Sequence, residues 1–221
     1  MVDTGENAGA GGLRALRATM REQRRRLDPQ RAGRAARAVL TAITRLPEYR
    51  TAETVASYMA TGGELDLSGL IEAVRTSGRV ALLPVVGPGR AMAFAPVAPD
   101  TELSNNRYGI AEPVVDRSQH VAPMELDLVV VPTVAFDGEC HRVGSGGGYY
   151  DRAFAPLARQ RPSGPVLCGV AFALQRVERI VPQPWDVALD LVVTENEVIR
   201  RVGRPARRPA HEHGPGTSPG P

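Results

Sequence analysis

The segment that limits the fold most runs Arg142-Val143-Gly144-Ser145-Gly146-Gly147-Gly148-Tyr149-Tyr150-Asp151-Arg152. An apolar run, Leu128 to Val131, stands ahead of it and reads as a buried strand. Behind it, Tyr150, Phe154 and Leu157 are spaced i, i+4, i+7 and predict a helix to about Gln160. The glycines therefore sit on a strand-to-helix crossing. Glycine takes positive φ freely and has no Cβ to block a close approach. Free N–H groups at a helix start, beside the positive end of its dipole, form an anion site, and phosphate is the commonest biological anion. Arg142 puts positive charge at one edge. Asp151 puts a carboxylate at the other, suited to a phosphate-bound Mg²⁺. The competing reading is a flexible turn followed by two packing tyrosines.

No lysine follows the glycines, so this is not a P-loop. All 27 basic side chains are arginine. That removes Schiff-base chemistry and a lysine general base together. With 221 residues the chain has room for one domain with tails and a real core. Cys140 and Cys168 are too few for a disulfide framework and lack zinc spacing, which points to a reducing compartment. No segment is apolar for long enough to span a bilayer. The acidic, Gly/Ala-rich start lacks the pattern of a signal peptide. The expectation is a cytoplasmic protein. Its net charge of +3 is modest, with Arg-rich runs at 14–37 and 200–208. No nucleic-acid motif accompanies them, so they read as solvated helix faces and a basic tail. The expected partners are small molecules, with neither nucleic acid nor membrane, and the expected state is a monomer.

Taken in order, residues 1–12 and 204–221 read as disordered tails around one domain at 13–203. Leu13, Leu16, Met20 and Leu27 form the apolar stripe of a first helix, with Arg17, Arg21, Arg24 and Arg25 off it. Asp28-Pro29 starts a second helix, with aspartate as N-cap and proline in the first turn. Val39, Leu40, Ile43 and Leu46 lie on one face, and Pro47 stops it. Strands are predicted near Thr54 to Met59, Arg79 to Pro84, Ala91 to Phe94, Asp127 to Pro132, Val166 to Phe172 and Leu189 to Thr194. A helix capped by Asp66 or Ser68 runs to about Thr76. Residues 96–126 read as mostly loop, and 175–186 as a surface segment. Strands alternate with helices, so the class is α/β: a three-layer Rossmann-like sandwich, its mostly parallel sheet flanked by helices. Ligands on such sheets bind beyond the carboxyl ends of the strands. Glu64, the glycine loop and Asp186 are expected there.

The pattern over about residues 13–195 resembles the 5-formyltetrahydrofolate cyclo-ligase family, also called methenyltetrahydrofolate synthetase. The resemblance is carried by Phe136-Asp137-Gly138 and by the run from Arg142 to Arg152. Leu16-Arg17, Gly63-Glu64, Gly109-Ile110-Ala111-Glu112-Pro113, Asp127-Leu128 and Trp185-Asp186 follow in the family order.

The resemblance implies an ATP-dependent ligase that cyclises 5-formyltetrahydrofolate to 5,10-methenyltetrahydrofolate and releases ADP and phosphate. The formyl oxygen takes the γ-phosphoryl group, N10 attacks the activated carbon, and phosphate leaves. Such chemistry needs positioning and charge neutralisation more than acid–base groups. By the same resemblance, Arg17, Arg142, Val143, Tyr149, Tyr150 and the loop Gly144, Ser145, Gly146, Gly147, Gly148 contact ATP. Arg142 and Tyr149 are the catalytic candidates. Met59, Glu64, Tyr108 and Tyr149, with the loop from Ser145 to Gly148, contact the folate. Asp151 and Asp186 match the Mg²⁺ positions. Two departures stand out. Leu13 occupies a position where the family usually has lysine, for which Arg14 is the candidate substitute. Ser145 stands where larger residues are common. They keep open a catalytically silent paralogue that binds nucleotide or folate. A sugar-phosphate isomerase on a similar scaffold is a third reading, but its acid–base pair is not evident.

Overall fold

The computed structural model describes residues 10–159 and 164–203. The tails expected at 1–9 and 204–221 lie outside the described residues. Residues 10–12, assigned above to the tail, form the first turn of α1 (Ala10–Arg25). α2 (Pro29–Arg45) begins where Asp28 predicts it: the Asp28 carboxylate accepts from Arg31 N at 2.9 Å. Pro47 does not merely end that helix. It opens α3 (Pro47–Thr51), because a first-turn residue has no intrahelical N–H bond to lose. β1 (Thr54–Ala56), α4 (Ser68–Thr76), β2 (Val80–Val86) and β3 (Met92–Pro96) follow close to the expected positions. However, α4 has Leu67 as N-cap with no side-chain cap bond, not Asp66 or Ser68, because the Asp66 carboxylate is spent on Ser68 N in the turn ahead of the helix. The stretch 96–126 is less irregular than predicted, since β4 (Leu103–Asn105) and β5 (Ala111–Pro113) make a hairpin within it. Three residues per strand are too few to display an alternation.

After β6 (Leu128–Pro132) the chain departs from the expected strand–loop–helix crossing. A small hairpin, β7 (Ala135–Phe136) and β8 (Arg142–Val143), intervenes, and the glycine loop leaves from β8. The expected helix is two five-residue pieces, α5 (Tyr149–Ala153) and α6 (Ala155–Arg159), broken at Phe154. β9 (Val166–Val170), β10 (Leu191–Val193) and the unforeseen β11 (Val198–Arg200) complete the elements.

Seven strands form one sheet in the order β11-β10-β9-β6-β1-β2-β3. The four inner pairings are parallel, and the edges β11 and β3 are antiparallel. β6 lies at the centre, and its alternation makes the layers. Leu128 and Val130 face one cluster with Val39 and Ile43 of α2 and Leu70 and Val74 of α4. Val129 and Val131 face the opposite cluster with Phe94, Phe154 and Leu157. The leucine stripe of α1 packs elsewhere: Leu16 and Met20 cover Val134, Ala135, Val143, Val177 and Ile180. So the segment 175–186 is not purely superficial. Gln175 is buried as well, and its amide donates to Thr133 O and Val134 O at 2.7 Å each.

Candidate active site

A cleft of about 530 Å³ opens beyond the carboxyl ends of β1, β2 and β6. Sequence separation between its walls is large. Met59 and Glu64 come from the turn after β1, Tyr108 from the β4–β5 hairpin, and Arg142 to Asp151 from the glycine loop and α5. Of the expected site residues, Met59, Glu64, Tyr108, Arg142, Gly144, Ser145, Gly147, Gly148, Tyr149, Tyr150 and Asp151 line it.

The loop is shaped by its glycines and held by arginines. Gly148 takes φ +65°, in the left-handed region, and hands the chain to α5. A Cβ on Gly147 would stand 2.9 Å from Tyr149 Cδ2, too close to be accommodated without displacement. Arg17 Nε donates to Gly144 O at 2.8 Å and Arg21 to Ser145 O at 3.1 Å. Gly147 O accepts from Arg90 at 3.4 Å and from Arg152. Three of the loop carbonyls are thus committed to guanidinium groups, and Gly148 O accepts Arg152 N. Among the described residues, the backbone N–H groups from Gly144 to Gly148 donate to none of the protein's own acceptors. Free donors ringed by four arginines form an anion cradle. The helix dipole contributes less than the sequence implied, because α5 has only five residues.

Arg142 and Asp151 do not act as two separate edges. Arg142 is buried and donates to Asp151 Oδ1 at 2.8 Å, which also receives Val187 N at 3.3 Å. That contact brings the chain next to Asp186 towards Asp151. Asp186 is not part of the cleft wall; its Oδ2 accepts Gln183 N at 2.8 Å in a turn. Val143 likewise turns away, into the cluster under α1. Arg14 is exposed and lies off the cleft wall. Gly146 also falls just outside that wall, 3.8 Å from the Arg17 guanidinium when given a Cβ.

The aromatic wall is polar at its rim. Tyr108 and Tyr149 meet edge to face with centroids 6.1 Å apart, and their hydroxyls are 2.7 Å apart. Arg107 donates to the Tyr149 hydroxyl at 2.8 Å. Hydrogen bonding to Tyr108, and then to Arg107, holds the Tyr149 phenol below its ordinary pKa. Tyr150 behaves oppositely. It stacks on Phe154, and burial, aided by the Glu64 charge, pushes its phenol up. Tyr58 shifts upwards for the same two reasons, and its hydroxyl donates to Leu65 O at 2.6 Å.

Glu64 is the deep carboxylate. Its Oε2 accepts Thr61 N at 3.1 Å, and burial raises its pKa against the opposing pull of that bond and of Arg24. Arg24 is 5% exposed, so it is no solvated helix face. Arg21, Arg24 and Arg25 also line the cleft, contrary to the sequence reading of that run. The signal was present: Arg14, Arg17, Arg21 and Arg24 follow a 3-4-3 spacing along one side of α1, beside the leucine stripe.

The family model of the 5-formyltetrahydrofolate cyclo-ligase family matches residues 11–195. This chain belongs to that family. Among the family's proteins, the 5-formyltetrahydrofolate cyclo-ligase of Escherichia coli (strain K12) is 35% identical over 181 residues, covering 81% of this chain and 98% of its own. The cyclo-ligase of Haemophilus influenzae is 33% identical over 182 residues, covering 80% of this chain and 95% of its own. The solved structure of Aquifex aeolicus 5,10-methenyltetrahydrofolate synthetase superposes with a TM-score of 0.74 at 32% identity, covering 91% of this chain and 99% of that one. Against the cyclo-ligase pattern, the two departures fall in different surroundings. Leu13 joins the apolar cluster beneath α1, whereas Ser145 is exposed at the loop and bound through its carbonyl by Arg21. Among the described residues no helix is long and apolar enough to cross a membrane.

Proposed function

We propose that this protein cyclises 5-formyltetrahydrofolate to 5,10-methenyltetrahydrofolate with consumption of ATP and release of ADP and phosphate. One observation carries the reading beyond family membership. The loop with free N–H donors and the partly buried acceptor Glu64 share a single cleft. An anion and a donor-rich heterocycle can therefore be held against each other.

In this reading the loop from Gly144 to Gly148 receives the phosphates, and Arg17 and Arg21 keep its carbonyls turned away from them. Arg142 borders the place where charge spreads over the phosphoryl oxygens. Glu64 accepts from the pterin amino and ring N–H groups, and Met59 and Tyr108 flank the ring. Tyr149 joins the two halves, being both the first residue after the loop and the partner of Tyr108. The formyl oxygen becomes a leaving group once phosphorylated, and N10 then closes the ring. The protein's task is to align the two substrates and exclude water.

The carboxylates fit a Mg²⁺ that arrives with the phosphates. Among the described residues, Asp151 and Asp186 each have one oxygen bonded to protein donors and a second oxygen with none, which would be open to a ligand. Bound there, the ion would neutralise phosphate charge. Cys140 and Cys168, both buried and unpaired, suit a reducing compartment, and we place the activity in the cytoplasm.

The test is purified protein with 5-formyltetrahydrofolate and Mg-ATP, followed by the near-ultraviolet band of the conjugated product. The band should grow only with ATP, and a folded Gly147→Trp variant should abolish it. Folded protein that binds ATP yet makes no product would instead establish the silent paralogue.

A further inference from the structure

Arg24 is the least expected member of the cleft. It sits on α1, far in sequence from the loop, with only 5% of its surface exposed. Its Nη2 donates to Gly62 O at 3.1 Å, which anchors the turn carrying Glu64. Its Nη1 stands 3.9 Å from Glu64 Oε1. That is too long for a hydrogen bond but short enough for strong attraction between charges. Its Nε is buried with no partner among the described residues. Glu64 is complementary. Oε2 is occupied by Thr61 N, while Oε1 accepts no hydrogen bond among the described residues.

A guanidinium in direct contact would hold the carboxylate ionised but would occupy the lone pairs that a ligand needs. Without any guanidinium, burial would favour the protonated acid, whose O–H would meet the ligand's own donors. The offset arrangement avoids both outcomes. We infer that Arg24 is a positioning residue: it keeps Glu64 ionised while leaving Oε1 open to accept from the pterin N–H groups. This rests on the reading of Glu64 as the pterin acceptor.

The groups facing Glu64 are Arg24 and Arg21 from α1, Tyr58 after β1 and Tyr150 from α5. Burial lowers the Arg24 pKa from the ordinary guanidinium value, which starts high enough that the side chain stays charged. Burial drives both phenols upwards, so they stay neutral. Glu64 is therefore the member of this group whose pKa burial moves up from the ordinary carboxylate value towards neutrality. Affinity for the folate should fall as Glu64 takes up a proton. Loss of Arg24 raises the Glu64 pKa further, so the fall should begin at higher pH.

The experiment is calorimetric binding of 5-formyltetrahydrofolate, without ATP, across mildly acidic to mildly basic pH. It compares the unsubstituted protein with Glu64→Gln, Arg24→Gln and Arg24→Lys. Arg24→Gln should weaken binding about tenfold to a hundredfold near neutrality, the usual effect of losing a charged acceptor, and shift the pH profile upwards. Arg24→Lys should restore most of the affinity and the original profile. If Glu64→Gln binds as tightly as the unsubstituted protein, the pterin reading of Glu64 is wrong, and the role of Arg24 with it. If Glu64→Gln weakens binding but Arg24→Gln matches the unsubstituted protein at every pH, only the Arg24 inference fails. Equal weakening by Gln and Lys with an unmoved profile would assign Arg24 a packing role and overturn the inference. Should Arg24→Gln not fold, a carboxyl ¹³C titration of Glu64 in the unsubstituted protein decides. Ionisation at neutral pH with a ligand-induced shift supports the inference, and a protonated Glu64 at neutral pH defeats it.

Discussion

Asp137 is a buried carboxylate and Glu64 a partly buried one, and they are treated in opposite ways. Asp137 is saturated. Its Oδ1 accepts Glu139 N and His141 N at 2.9 Å each, and its Oδ2 accepts Ile180 N at 2.9 Å and meets His141 Nδ1 at 3.0 Å. Asp127 is similar at the far end of the sheet, where its Oδ2 ties Glu53 N, Thr54 N and the Thr54 hydroxyl to the start of β6. Glu64 has one backbone bond and a guanidinium held at a distance. Native interiors rarely leave polar atoms unpaired. The saturated carboxylates are struts that join segments of the fold. Among the described residues, the unsaturated one shares the cleft with the free N–H groups of the loop and the unpartnered Nε atoms of Arg24 and Arg142, and under our proposal a ligand completes the bonding there.

The strongest challenge to this contrast is Asp137→Ala. Four donors would lose their acceptor, so stability should fall by about 3 kcal/mol or more. Chemical denaturation measures it, and a loss below about 1 kcal/mol would remove Asp137 from the struts. The loop should respond in the opposite sense. Arg17→Gln frees Gly144 O at a partly exposed position, so the melting temperature should hardly move while KM for ATP rises about tenfold. A large stability loss with unchanged KM would make Arg17 a strut instead.

The smallest effect concerns Glu64 itself. Burial, the largest influence, raises its folded pKa above the unfolded value. A raised pKa means that the stability contributed by the protonated form is fully present at low pH and is lost as pH rises through the folded pKa. Glu64→Gln cannot ionise. It should therefore melt slightly above the unsubstituted protein at mildly basic pH, with the difference closing by about pH 4, even as folate binding is lost. Thermal melts at the two pH values check this, and an unchanged or reversed difference would show Glu64 to be a stabilising partner of Arg24.

The family motif mixes both kinds of residue. Phe136-Asp137-Gly138 carries as much resemblance as the glycine run, yet Asp137 has no oxygen left for a substrate. A motif reports which residues a fold retains, whereas the bonding around each one distinguishes scaffold from site. That is why Asp186 and Val143, both drawn from motif positions, fell outside the cleft wall, and why Arg24, Arg21 and Tyr58 were missed.

By itself the sequence determined whatever depends on neighbours along the chain. The 2-residue alternation of β6 set the two faces of the sheet, Asp28-Pro29 set the start of α2, and the glycines set a turn that only small residues can make. It also placed Glu64 and the loop at one end of the sheet through strand–helix alternation, whereas Met59 and Tyr108 entered only through the family resemblance. Only the tertiary structure decided which arginines of α1 turn inward, since the leucine stripe had to seat on the β7–β8 hairpin first. It alone brought Arg17 to Gly144, 127 positions away. It paired Arg142 with Asp151, and it stopped Arg24 just short of Glu64. The physical reason is range: periodicity and capping act within a few turns of chain, whereas the bonding state of a buried charge depends on every segment packed against it.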